Sequence, residues 1–139
     1  MASSVSTGKK VETTITTLLN VRRGADAVGF YTRAFGATIL SRLDGEDGSV
    51  VAHLGVGKGA FWLADESLPH QNFSPESLGG SSVRMVLIVD DPHAAFGQAV
   101  AAGASSICPV RDEPYGWRIG RVVDPFGHHW EIGKKLSED

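Results

Sequence analysis

The chain has one cysteine, Cys108, among its 139 residues, which excludes an internal disulfide and any cysteine-based metal cluster. No apolar run approaches the ~20 residues that a membrane-spanning helix needs. The opening MASSVSTGKK carries two lysines with no apolar stretch behind them, which argues against a secretory signal. Basic residues are sparse: thirteen Lys and Arg stand against sixteen Asp and Glu, for a net charge of −3. Affinity for phosphate backbones needs clustered positive charge, so neither nucleic acid nor a membrane is an expected partner. There is no Ser or Cys nucleophile motif and no glycine-rich phosphate cradle. The acidic turn Asp44-Gly45-Glu46-Asp47-Gly48 is short of the ligands a calcium loop supplies. What these absences leave is a cytoplasmic, globular, single-domain chain.

What is abundant is glycine, seventeen residues of it, and its spacing repeats. Displacing the sequence by 68 positions sets Leu19 on Leu87, Val21 on Val89, Ala27 on Ala95 and Gly29 on Gly97. It also sets Gly48 on Gly116, Gly59 on Gly127 and Trp62 on Trp130. Each half reads alike. The β-branched run Val11 to Val21 predicts a strand. Ala27, Val28, Tyr31, Ala34 and Phe35 recur at helical spacing, with Gly36 where a left-handed cap belongs. Three short strands follow, over Ala37 to Leu43, Ser49 to Gly55 and Ala60 to Ala64.

In the second half, Val83 to Val89 predicts a strand. Asp91 is a helix cap with Pro92 at the first helical position, and Gly103 stops the helix. Strands near Ser106 to Val110, Trp117 to Val123 and His128 to Gly133 complete the unit. The expected fold is α+β: two βαβββ modules, residues 11–66 and 83–134, forming a curved mixed sheet with helices on its outer face. Residues 67–82 read as a surface linker, and 1–10 and 135–139 as tails.

The closing motif DPFGHHWEI, Asp124 to Ile132, together with paired βαβββ units of this length, resembles the vicinal oxygen chelate superfamily of glyoxalases, bleomycin resistance proteins and dioxygenases. The stretches GADAVGFYTRAFGA, Gly24 to Ala37, and YGWRIGRVVDPFGHHW, Tyr115 to Trp130, look most like its PhnB-like branch. In metal-dependent members of that superfamily, the first and last strands of both units supply four ligands. The resemblance puts those positions at Thr16, Leu63, Arg84 and Glu131. Threonine is a poor ligand, leucine is none, and a cationic arginine repels a metal ion. No cofactor is therefore expected, and a divalent metal is disfavoured. Arg84 and Glu131 are expected to pair across neighbouring strands instead.

The resemblance also implies a cleft lining. Fosfomycin-type relatives line their cavity with the residue three before the Asp of this motif, here Arg121; strand alternation and the repeat extend the set from there and from the four ligand positions. Asn20, His53, Phe61, Leu63, Arg84, Tyr115, Trp117, Ile119, Arg121, His129 and Glu131 are the candidates, with Trp62 and Trp130 turned towards the helices. Apolar walls with a few polar points suit a small-molecule site. Two functions are compatible with it. One is a metal-free protein, homodimeric as the resemblance implies, that holds a partly aromatic ligand. The other is a lyase, isomerase or dioxygenase with His129 or Glu131 as acid or base, and a displaced metal on His53, His129 and Glu131. Cys108 is expected to be a small buried hydrophobe.

Overall fold

A computed structural model describes residues 8–136; the outermost parts of both expected tails, 1–7 and 137–139, lie outside the described residues. The first module comprises β1 (Leu18–Val21), α1 (Gly24–Phe35), β2 (Thr38–Asp44), β3 (Val50–Val56) and β4 (Gly59–Asp65). The second comprises β5 (Arg84–Ile88), α3 (Pro92–Ala102), β6 (Ser105–Asp112), β7 (Trp117–Val123) and β8 (His129–Lys135). Each forms a four-stranded mixed sheet with the same order, β1-β4-β3-β2 and β5-β8-β7-β6. In each, the first strand runs parallel to the last and the other pairs are antiparallel. This is the two-module α+β fold the sequence predicts.

The helix ends follow local chemistry. Asp91 caps α3 by accepting from the Ala94 amide, with Pro92 behind it. Gly36 closes α1 at φ 67°, a left-handed conformation that costs glycine little. The strand expected from Val11 is ordered into the sheet only from Leu18. Its parallel partner β4 starts at Gly59 and pairs Trp62 with Leu18; the Thr17 carbonyl still accepts from the Trp62 amide at 2.8 Å just before the paired stretch begins.

Helices α1 and α3 pack on each other, and one core serves both modules. Tyr31 of α1 meets Phe61 edge-on at 5.2 Å between ring centres and Trp130 at 5.5 Å. Phe61 and Trp130 meet directly at 5.4 Å. The Asp of the closing motif anchors this joint. Asp124 is buried; its Oδ2 accepts from the Tyr31 hydroxyl and the Trp130 indole, and its Oδ1 from the Phe126 and His128 amides. Four donors satisfy a carboxylate that would otherwise be costly to bury.

The segment between the modules is built, not merely slack. Leu68–His70 forms a 3-10 turn and α2 (Pro75–Leu78) follows. Glu66 accepts from the Ser74 amide at 2.9 Å and the Ser77 hydroxyl at 2.8 Å. Those hydrogen bonds, to Ser74 first and then Ser77, with Arg22 beside them, hold the Glu66 carboxyl down at about 2.

Candidate functional site

The helices cover one face of each sheet and leave the other open. Along β8, Trp130 and Ile132 are buried beneath the helices, which puts His129 and Glu131 on the open face by alternation. Glu131 pairs in register with Arg121 on β7 and with Val86 on β5, one pleat on from Arg84. Both arginines reach the same oxygen. Arg121 Nε donates to Glu131 Oε2 at 2.6 Å and Arg84 Nη1 donates to it at 3.3 Å. The expected Arg84–Glu131 contact is therefore present, but Arg121 is the closer partner. Its side chain is 29% exposed and that of Arg84 57%, against 16% for Glu131. Sequence reasoning placed Arg121 on the lining and missed this bond, although the β7–β8 hairpin sets the two residues directly opposite.

His129, in register with Arg84, has its Nδ1 buried without a hydrogen-bond partner. Ile119 and Trp117 follow Arg121 along β7, both half-buried. Ile119 lies over Gly133, where a Cβ would stand 2.7 Å from the isoleucine Cβ. Tyr115 is exposed in the turn before β7. On β1, Asn20 is half-buried, and its carbonyl accepts from His128 Nε2 at 2.9 Å, a tie between the modules.

In the first module two expectations fail. Phe61 and Leu63 do not face the open side; both are buried in the core beneath the helices. Trp62 takes the open-face position and stacks on His53, ring centres 4.2 Å apart and planes within 6°. The cause is hairpin length. Two residues, Gly57 and Lys58, join β3 to β4, whereas five join β7 to β8. His53 and Trp62 are paired across the first hairpin and Arg121 and Glu131 across the second, which is one residue longer between those points. A one-residue slip inverts every later side chain. Trp62, not Leu63, thus corresponds to Glu131, and the match of Trp62 with Trp130 is a coincidence of spacing.

His53, Trp62, Thr16 and Lys58 line an open recess of about 440 Å³ on this sheet. Cys108 is also displaced from expectation: it is exposed on β6, opposite Arg121. The β6 strand is irregular on both sides of Cys108, which spoils a simple inside–outside count.

The positions expected for a family metal hold Thr16, Trp62, Arg84 and Glu131 once the slip is corrected. One carboxylate among a hydroxyl, an indole and a guanidinium is a donor set that does not fit a divalent ion. Nor are His53, His129 and Glu131 brought together. Among the described residues no three His, Cys, Asp or Glu side chains are grouped as a metal centre.

Paired βαβββ modules with an open sheet face define a protein of the glyoxalase-type fold. A family model, the Glyoxalase/Bleomycin resistance protein/Dioxygenase superfamily, matches residues 14–132; the chain belongs to that superfamily. Protein Rv0887c of Mycobacterium tuberculosis is 36% identical over 133 residues, covering 92% of this chain and 78% of that one. The crystal structure of the Arabidopsis thaliana At5g48480 product is similar with a TM-score of 0.66 at 32% identity, over 88% of this chain and 98% of the other. TioX from Micromonospora sp. ML1 is similar with a TM-score of 0.68 at 27% identity, over 90% of this chain and all (100%) of TioX.

Proposed function

We propose that this protein binds a partly aromatic small molecule on the open sheet face without a metal ion. The observation that carries the reading is the Arg121–Glu131–Arg84 cluster at the position where a metal-dependent relative would present a ligand. Glu131 is engaged by two cations, and its counterpart in the first module is an indole stacked on an imidazole. Aromatic surface beside a few fixed polar groups is the composition of a small-molecule site. The quoted stretches Gly24 to Ala37 and Tyr115 to Trp130 support membership of the PhnB-like branch.

The reading includes a homodimer. Leu18, Val86 and Ile88 on the open faces, with Ile39 and Leu43 on the edge strand β2, are large apolar side chains left exposed. Large apolar side chains left exposed on both sheets are the kind of surface that association covers. The reading also places the protein in the cytoplasm, where a lone exposed thiol such as Cys108 stays reduced. No helix among the described residues is long and apolar enough to cross a membrane.

A second reading, an acid–base enzyme of the lyase or isomerase kind, is favoured by one observation: His129 Nδ1 is buried beside Glu131 with no hydrogen-bond partner, a polar atom the fold leaves unused. The test is a thermal-shift screen of a broad compound library, since a ligand that binds only the folded state raises its apparent stability. Hits on this site quench tryptophan fluorescence and lose their shift in Arg121→Ala. Hits that are chemically converted on incubation, with conversion lost in His129→Gln, decide for the enzyme.

A further inference from the structure

We infer that the second sheet binds a carboxylate or phosphate group of the ligand through Arg121 and Arg84, a deepening that rests on the small-molecule reading above. Three observations converge. First, the charges do not cancel. Two guanidiniums meet at one oxygen of one carboxylate, and neither has another acidic partner among the described residues. The neighbouring cations are each satisfied elsewhere: Arg111 by Glu113, Arg118 by Asp112 and Lys134 by Asp90. The cluster around Glu131, with Lys135 further along β8 opposite Trp117, is where positive charge is left over on this face.

Second, the donors are free and oriented. An arginine carries five N–H donors in a planar fork. Arg121 gives one of them, from Nε, and Arg84 gives one, from Nη1. The unused donors are within reach of solvent: the side chain of Arg84 is 57% exposed and that of Arg121 29%. Glu131 holds the Arg121 fork at 2.6 Å and meets that of Arg84 at 3.3 Å, so part of their side-chain freedom is lost before a ligand arrives. Planar, bidentate recognition of carboxylate or phosphate is what such forks favour.

Third, the surroundings suit a ligand with an apolar body. Val86 and Ile88 lie exposed along β5 beside the pair, and Ile119 and Trp117 continue the β7 face. An anionic head at Arg84 and Arg121 would leave the rest of the molecule on aliphatic and indole surface. A neutral or cationic ligand would leave the excess guanidinium charge unmet.

Matched probes test this. Benzoate, benzamide and phenylphosphonate are titrated into the full chain, with binding followed by the arginine Nε–H resonances of Arg84 and Arg121 in 15N-labelled protein. Benzoate and phenylphosphonate should shift both resonances and bind at least about tenfold more tightly than benzamide. The preference should collapse in Arg121→Gln and survive in Arg118→Gln, whose guanidinium belongs to Asp112. The relative affinity of the two anions identifies the preferred head group. Benzamide binding to the Trp117–Ile119 surface as tightly as benzoate overturns the anion inference and leaves the small-molecule reading standing. Failure of all three to perturb this face, while an unrelated screening hit binds elsewhere, overturns the placement of the site as well.

Discussion

The Tyr31 hydroxyl on α1 of the first module donates to the Asp124 carboxylate of the second, 2.5 Å away and out of contact with solvent. The bond ties together modules that are 93 residues apart at these two positions. It also gives the aspartate of the closing motif a structural role, since all its acceptor capacity is taken by protein donors.

Tyr31→Phe should therefore destabilise the fold by about 1.5–3 kcal/mol, the usual range for a hydrogen bond to a charged group. Chemical denaturation measures it. Burial first, and then the neighbouring Asp124 charge, hold the Tyr31 hydroxyl well above its ordinary value of 10.0. The folded state thus retains a proton that the unfolded state loses. The associated stability is complete below pH ~10 and declines as pH rises further. Phenolate absorbance from Tyr31 should appear only together with unfolding.

The two arginines on Glu131 should be unequal. Arg121→Ala removes the 2.6 Å bond and should cost on the order of 1–2 kcal/mol. Arg84→Ala removes a 3.3 Å contact from a largely exposed side chain and should cost less than about 1 kcal/mol. Urea melts of both single variants and the double variant order them. Equal losses would mean that the cluster is a loose surface pair.

Much of the fold was legible because its signals are local. Asp91-Pro92 opens a helix, Gly36 and Gly103 end two, and Trp117 to Val123 reads as a strand with the bounds it has in the structure. The Arg84–Glu131 pairing was legible too, since both strands were assigned and their adjacency follows from the module. The placement of Phe61, Leu63 and Trp62 was not, because it depends on a single residue's difference between two hairpins. The sequence does carry that difference, as Gly57-Lys58 against Asp124-Pro125-Phe126-Gly127-His128, but a fixed repeat hides it. Cys108 was misjudged for a related reason: irregular pairing on β6 is set by partners, not by composition.

Acid should weaken the crossover between the modules. With the Glu66 carboxyl held at about 2 in the folded state against an ordinary 4.5, the folded state binds fewer protons than the unfolded one in that interval. The stability it contributes is present above pH ~4.5 and is lost as pH falls towards 2. Glu66→Gln should flatten the acid limb of the stability–pH curve in that window. An unchanged acid limb would mean that the Ser74 and Ser77 bonds are not kept in solution.

Gly133→Ala tests the packing on the open face, under Ile119. A Cβ there would meet the Arg118 carbonyl at 2.6 Å and the Ile119 side chain at 2.7 Å. Because one of these is backbone, the β7–β8 ladder must shift, and a loss of about 1–3 kcal/mol is expected. Thermal or urea melts check it.

The substitution of an ionic cluster for a metal centre is tested most directly by calorimetric titration of Zn²⁺, Ni²⁺ and Mn²⁺ into chelator-treated protein and into Glu131→Gln. We expect no one-to-one binding of micromolar strength or tighter in the parent chain, and the same residual heats in the variant. Stoichiometric uptake by the parent chain that disappears in Glu131→Gln would contradict it.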